Sequence, residues 1–405
     1  MSFDVAAARA QFPILEREIN GKPLIYLDSA ASAQKPRAVI EAMSRAMETS
    51  FSNVHRGVHT LANETTEAYE AAREAVRRLI NAKSAAEVVF TKGATEAVNL
   101  VAASFGGAFE GGDEIVLSQM EHHANIVPWH FLRERKGVVL RFTPVTDDGR
   151  LDMEAFRALL GPRTRLVAVS HMSNVLGTIN PAAQIVAEAH ALGIPVLLDG
   201  AQAVVHTAVD VQALDVDFYV FSGHKLYGPT GIGALYAKAE LLAAMAPYQG
   251  GGEMIDTVSE EAVRYADPPH RFEAGTPPIV EAIGLGAAIV WLEGLDRAAV
   301  ARHEAALYER VKSRLNGANW ITEIGSAPDK GAIFAFTMEG AHAHDVAQIL
   351  DRHGIAVRAG THCAEPLMRR FGLTSSARAS FALYNTLDEA DRFVEALTAT
   401  RTFFA

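Results

Sequence analysis

Phe218-Tyr219-Val220-Phe221 is a run of apolar and aromatic residues that leads straight into Ser222-Gly223-His224-Lys225. Gly228-Pro229 and Gly231 then stop regular structure. A continuous apolar run of this length reads as a strand covered on both faces. Polar and cationic groups at its carboxyl end therefore sit where open α/β sheets place their ligands. A buried lysine is costly unless something uses it. Lys225 is thus a candidate amine for imine formation. A surface lysine after a strand would read the same way, and two further stretches separate the readings.

The first is Ile194-Pro195-Val196-Leu197-Leu198-Asp199, a second buried strand that ends on a carboxylate. Asp199 and Lys225 then stand on neighbouring strand ends. Pyridoxal phosphate needs this pair: the amine holds the aldehyde, and the carboxylate keeps the pyridine nitrogen protonated so that the ring acts as an electron sink. The second stretch is Arg358-Ala359-Gly360-Thr361-His362-Cys363, which holds the only cysteine of the chain.

Composition limits the alternatives. Lys and Arg number 37 against 48 Asp and Glu, a net charge of −11. The charge is spread along the chain, which disfavours nucleic acid and anionic membrane surfaces. No apolar stretch is long enough to span a membrane, and the N-terminus lacks a secretory pattern. One cysteine excludes an internal disulfide and a multi-cysteine zinc site, so no metal is expected and a cytoplasmic enzyme follows. The lone thiol is either a nucleophile or an inert buried residue.

The rest of the chain alternates short apolar strands with helices. Strands are expected at 87–90, 114–117, 138–142, 164–170, 194–199 and 218–221, and helices at 37–50, 62–82, 95–105, 152–160 and 182–192. This rhythm predicts an α/β fold with a mainly parallel sheet covered by helices. At the C-terminal end, one strand is expected over 355–358 and another over 377–381. Gly93-Ala94-Thr95 opens a helix, where free N–H groups make an anion site; an ordinary cap by Thr95 reads equally well. Gly231-Ile232-Gly233 and Gly284-Leu285-Gly286 lack the third glycine of a dinucleotide fingerprint.

Glu121-His122-His123-Ala124-Asn125, Asp199-Gly200-Ala201-Gln202, Ser222-Gly223-His224-Lys225 and Arg358 through Cys363-Ala364 occur together and in order. This set resembles the SUF-type (type II) cysteine desulfurases, pyridoxal phosphate enzymes of the class V aminotransferase group, from Tyr26 to Arg378. The resemblance implies the aspartate aminotransferase-like architecture called fold type I. An N-terminal segment (1–20) would pack with the small domain, a large cofactor domain would span 21–285, and a smaller α+β domain (286–405) would carry the cysteine loop.

The resemblance also implies roles. Lys225 anchors the cofactor and acts as base, and His122 stacks on the ring and moves protons, while His123 has no such role. Asp199 holds the ring nitrogen, and Gln202, with His55, the ring hydroxyl. Ala94, Thr95, Ser222, His224 and Thr276 hold the phosphate, Thr276 in the partner of a homodimer. Asn174, His55, Arg358 and Arg378 face the substrate, with Arg358 favouring the thiolate of Cys363. L-cysteine would become L-alanine, Cys363 would keep the sulfur as a persulfide, and a sulfur-acceptor protein of the SUF system would receive it for iron–sulfur cluster assembly. A selenocysteine lyase would use the same residues. Thr361 stands where the family usually has a first histidine before the cysteine. His342, at the start of a helix over 343–353, is expected near the cysteine loop, on the face that receives an acceptor.

Overall fold

The apolar runs form a seven-stranded sheet in the computed structural model, which describes residues 3–404. Its strands are β1 (Val88–Thr91), β2 (Glu114–Ser118), β3 (Val139–Thr143), β4 (Thr164–Ser170), β5 (Val196–Asp199), β6 (Phe218–Ser222) and β7 (Gly233–Ala237). They lie in the order β1-β7-β6-β5-β4-β2-β3. Only β7 is antiparallel to its neighbours. The other six strands therefore end at one edge of the sheet, and most of the predicted site residues follow those ends.

Adjacent residues of one strand point to opposite faces, and both faces are buried. Val89, Ile115, Leu117 and Val220 pack on one side, and Val88, Val116, Val167 and Phe221 on the other. That is why these strands read as continuous apolar runs rather than alternating ones. β7 was not expected from the sequence. It begins at Gly233, where a Cβ would stand 2.4 Å from the Phe221 carbonyl oxygen and 2.6 Å from Gly93 Cα. A glycine there reads as turn material, and only the close approach of β6 and β1 makes it a strand residue.

A second sheet is antiparallel and contains β8 (Ile321–Glu323), β9 (Ile333–Met338), β10 (Arg358–Gly360) and β11 (Ser376–Ser380), in the order β8-β9-β11-β10. The expected strand over 355–358 is corrected here. Ile355–Ala356 pairs in parallel with Ile25–Tyr26, and β10 pairs with β11. Two neighbours compete for one extended segment, and Val357 is where the chain passes from one to the other. A hairpin, Ile255–Val258 with Val263–Tyr265, was also unanticipated; it is largely exposed and lacks a buried apolar face. Among the described residues no helix is long and apolar enough to cross a membrane.

The N-terminal residues close the junction between the sheets. Phe12 meets Tyr227, Trp291 and Tyr384 edge-on, and Arg9 donates to the Tyr384 carbonyl and pairs with Glu389. At the other margin, the buried Arg73 guanidinium faces the Glu273 carboxylate at 2.6 and 3.0 Å and also donates to the Val88 carbonyl. Glu273 accepts in turn from the Phe90 N–H. This pair satisfies backbone groups of the outermost strand and ties it to the loop before Thr276. Removing one member of a buried pair leaves the other charge uncompensated. Glu273→Ala is therefore predicted to destabilise the protein by about 3 kcal/mol, read as a lowered urea midpoint. An unchanged midpoint would show that Glu70, which also contacts Arg73, suffices alone.

Candidate active site

The strand ends of the large sheet and the loops of the small sheet enclose a cavity of about 310 Å³. Ala94, Thr95, His122, Asn174, Asp199, Ser222, His224 and Lys225 line it from the large sheet. Arg358, His362, Cys363 and Arg378 line it from the small one, and Ala30 and Ala31 from the loop that follows Asp28. Residues far apart in the chain thus share one space because the two sheets face each other across it.

Lys225 follows β6 in a short 3-10 turn. Burial lowers its amine to about 8, aided by the nearby Arg378 and opposed by Asp199. Asp199 ends β5, and its Oδ1 accepts the Ala201 N–H at 3.0 Å. Burial raises its carboxyl, with Lys225 acting the other way. The two groups stabilise each other's charged forms in a site that disfavours either charge alone.

His122 follows β2. Its Nδ1 accepts the Ala124 N–H at 3.1 Å, which leaves the ring proton on Nε2. Burial, then Lys225, His123 and Arg378, hold its pKa down to about 3, so the imidazole is neutral. The residue before it is a knot: buried Glu121 accepts from Ser118, Ser170 and Asn125, and Asn125 in turn accepts from Trp129. This fixes the turn that presents His122.

The helix Ala94–Ser104 opens at the same edge. Gly93 has φ +151°, and Ser222 Oγ accepts the Ala94 N–H at 2.9 Å. A Cβ on Gly93 would stand 3.1 Å from that hydroxyl. First-turn amides, two hydroxyls and His224 converge there, a setting for an anion. Burial, with Lys225 and Lys35, keeps His224 near a pKa of about 4. Lys35, which the sequence reading missed, donates to the His224 carbonyl at 3.0 Å and braces the turn that carries Lys225.

Arg358 and Arg378 sit opposite each other in the β10–β11 register. Asp28 receives Arg358 Nε at 3.1 Å and Nη2 at 2.8 Å, and Arg378 Nη2 at 3.3 Å. Arg378 Nη1 donates to the Asn174 carbonyl at 2.7 Å, while its buried Nε has no partner. Burial lowers Arg378 to about 10. Arg358 gives Nε and Nη2 to Asp28, a partner that no spacing in the sequence revealed, and lines the cavity together with Cys363.

Three expected site residues do not line the cavity. Gln202 is buried, but its Nε2 donates to the Ala30 carbonyl at 2.7 Å. His55 bonds Glu70 at 2.9 Å and packs edge-on against Tyr69 and His270. Its φ of +68° turns the loop toward that cluster. Thr276 is exposed, outside the cavity of its own chain.

The residues present fit pyridoxal phosphate on their own chemistry. An amine of lowered basicity, a buried carboxylate, a neutral imidazole, an anion cradle and an orphaned guanidinium Nε surround one cavity of suitable size.

The Aminotransferase class-V family model matches residues 25–393. A cysteine desulfurase of Dickeya dadantii (strain 3937) is 53% identical over 397 residues, covering 98% of this chain and 96% of that protein. One from Klebsiella pneumoniae subsp. pneumoniae is 52% identical over 403 residues, covering 99% of each. Among solved structures, the cysteine desulfurase CsdA of Escherichia coli aligns with a TM-score of 0.93 at 40% identity, covering 100% of both chains. The apo cysteine desulfurase of Thermococcus onnurineus NA1 aligns with a TM-score of 0.91 at 37% identity, covering 100% of this chain and 99% of that one. Likeness over this much of the length, in sequence as well as in fold, makes this chain a member of the class-V aminotransferase family of pyridoxal phosphate enzymes.

Proposed function

We propose that the protein is a pyridoxal phosphate-dependent cysteine desulfurase that keeps the sulfur of L-cysteine as a persulfide on Cys363. The enzyme class is that of its relatives. The observation that carries the persulfide reading is that Cys363 and Lys225, held by different sheets, open into one cavity. When bound, the cofactor withdraws electrons from the substrate and makes its Cα proton acidic.

Lys225 holds the cofactor and, once freed, is the nearest base for the Cα proton. Asp199 would hold the ring nitrogen and favour its protonated form, and neutral His122 would contact the ring. Ser222, His224, Ala94 and Thr95 would hold the phosphate. Arg378 grips the substrate carboxylate, with Asn174 beside it; the free Nε supports this role. Cys363, as thiolate, forms an S–S bond to the substrate sulfur. The Cβ–S bond breaks with its electron pair left on carbon, which takes a proton. The carbon is reduced and the two sulfur atoms are oxidised, so L-alanine and the enzyme persulfide balance one L-cysteine and one thiol.

The chain would divide into two domains, 21–285 and 286–405, with 1–20 against the smaller one. A cytoplasmic homodimer would bring Thr276 to the partner's site. An acceptor protein of the SUF system would take the sulfur for iron–sulfur cluster assembly. His342 caps the helix Ala343–Arg352 and stands 3.3 Å from Ser375 Oγ. That exposed imidazole beside the small sheet supports an acceptor face there.

The reading is tested by supplying L-cysteine to the holoenzyme and measuring alanine and protein-bound sulfur. Lys225→Ala is expected to lose covalent attachment of the cofactor and all turnover; turnover near the normal rate would reject the assignment. Cys363→Ser is expected to keep the cofactor but gain no sulfur by mass spectrometry, because a hydroxyl is not ionised near neutral pH. Added sulfur on that variant would mean that another group accepts it. Arg378→Lys keeps the charge and loses the planar fork, so KM should rise about tenfold. An unchanged KM and kcat would place the substrate carboxylate elsewhere.

A further inference from the structure

His123 has no task in this scheme, yet it holds the cysteine loop at two points. Its backbone N–H donates to the Cys363 carbonyl at 2.7 Å. Its Nε2 accepts the Glu365 N–H at 3.2 Å. Those contacts bracket Ala364. On the other side, Asn174 Nδ2 donates to the His362 carbonyl at 2.9 Å. Both anchors come from strand ends of the large sheet, whereas the loop they hold belongs to the small one.

The loop needs such support. His362 and Cys363 have φ of +53° and +56°. Residues with a Cβ rarely adopt this conformation, and here two do so in succession. The turn is closed by the Ala364 N–H on the Thr361 carbonyl at 3.0 Å. The result is a Cys363 side chain that is exposed and opens into the cavity. Without external anchors, a strained turn of this kind relaxes and carries its side chain with it.

The tautomer of His123 follows from the geometry. Since Nε2 accepts a backbone N–H, the ring's other nitrogen, Nδ1, is the one placed to carry a proton. The Glu365 carboxylate stands 3.7 Å from the same nitrogen. The two adjacent histidines therefore divide the work: His122 lines the cavity, and His123 faces the loop above it.

We infer that His123 is a positioning residue that clamps the His362–Cys363 turn through the Glu365 N–H and so sets where the nucleophilic sulfur stands. The inference rests on the reading that Cys363 receives the sulfur. Sulfur transfer needs the thiolate close to and in line with the substrate sulfur, and a small misplacement is costly in rate. Substrate binding, which depends on Arg378 and the cofactor pocket, does not use this clamp.

The test compares holoenzymes carrying His123→Leu and His123→Gln. Leucine fills much of the space but accepts no hydrogen bond, whereas the glutamine amide oxygen reaches about as far as Nε2. The backbone bond to Cys363 survives in both. Three quantities are measured: the single-turnover rate of persulfide formation by mass spectrometry, the L-cysteine concentration that half-saturates the absorbance change, and the rate of Cys363 alkylation by iodoacetamide without substrate. His123→Leu is expected to slow persulfide formation about tenfold and alter the alkylation rate, with half-saturation and cofactor content unchanged. His123→Gln is expected to restore most of the lost rate. Persulfide formation at the normal rate in His123→Leu would overturn the inference. So would equal losses in both variants, or a parallel loss of cofactor and substrate binding. If the unaltered protein formed no persulfide on Cys363, the underlying reading would fall, and the clamp with it.

Discussion

One carboxylate makes the paired-arginine side of this cavity possible. The register of β10 and β11 places exposed Arg358 opposite buried Arg378, and two guanidinium groups so placed repel. Asp28 lies between them and bonds both. Its bonds to Arg358 favour that residue's charged form, while burial works against Arg378. With Asp28 committed, Arg378 keeps an unpartnered Nε. A buried donor of this kind is costly to leave unmet, so the site is arranged to receive an acceptor. Asp28 also joins the loop after Tyr26 to the small sheet, since its backbone bridges to Ser380.

On the cofactor side, the constraint is topological. Six strands of the large sheet end at the same edge, and their successors are short, polar and held by backbone contacts. The Glu121 knot sets His122, Ser222 fixes the start of the helix at Ala94, and Lys35 braces the turn before Lys225. Each is a neighbour that orients a group rather than one that reacts. Burial then does the electrostatic work by lowering Lys225, His122 and His224 and raising Asp199, with Lys225 and Asp199 restraining each other. Perturbations in both directions within one cavity are what acid–base chemistry near neutral pH requires.

The cysteine loop follows another logic. Its two left-handed residues cost of order 1–3 kcal/mol each, and the opposing large sheet restrains them through Asn174 and His123. The strain presents the thiol to the cavity rather than burying it, which is the commoner fate of a lone cysteine.

The strands of the large sheet were legible because parallel strands buried on both faces must be continuously apolar, and the polar residues that end them were legible as ligand groups for the same reason. Lys225, Asp199, Ser222 and His122 follow from that pattern and from the resemblance it exposed. β7 was hidden by its glycine, and the exposed hairpin by its lack of a buried face. Asp28, Lys35 and His123 were missed as site-organising residues because they act through contacts distant in the chain. Nor did the sequence reveal that Arg358 bonds Asp28 or that Gln202 donates to the Ala30 carbonyl. Residue type and local period determine which segments are buried and where polar chemistry emerges. Which donors remain free when the sheets close over the cavity is decided only by tertiary packing, since each hydrogen bond is a competition among partners the local sequence does not contain.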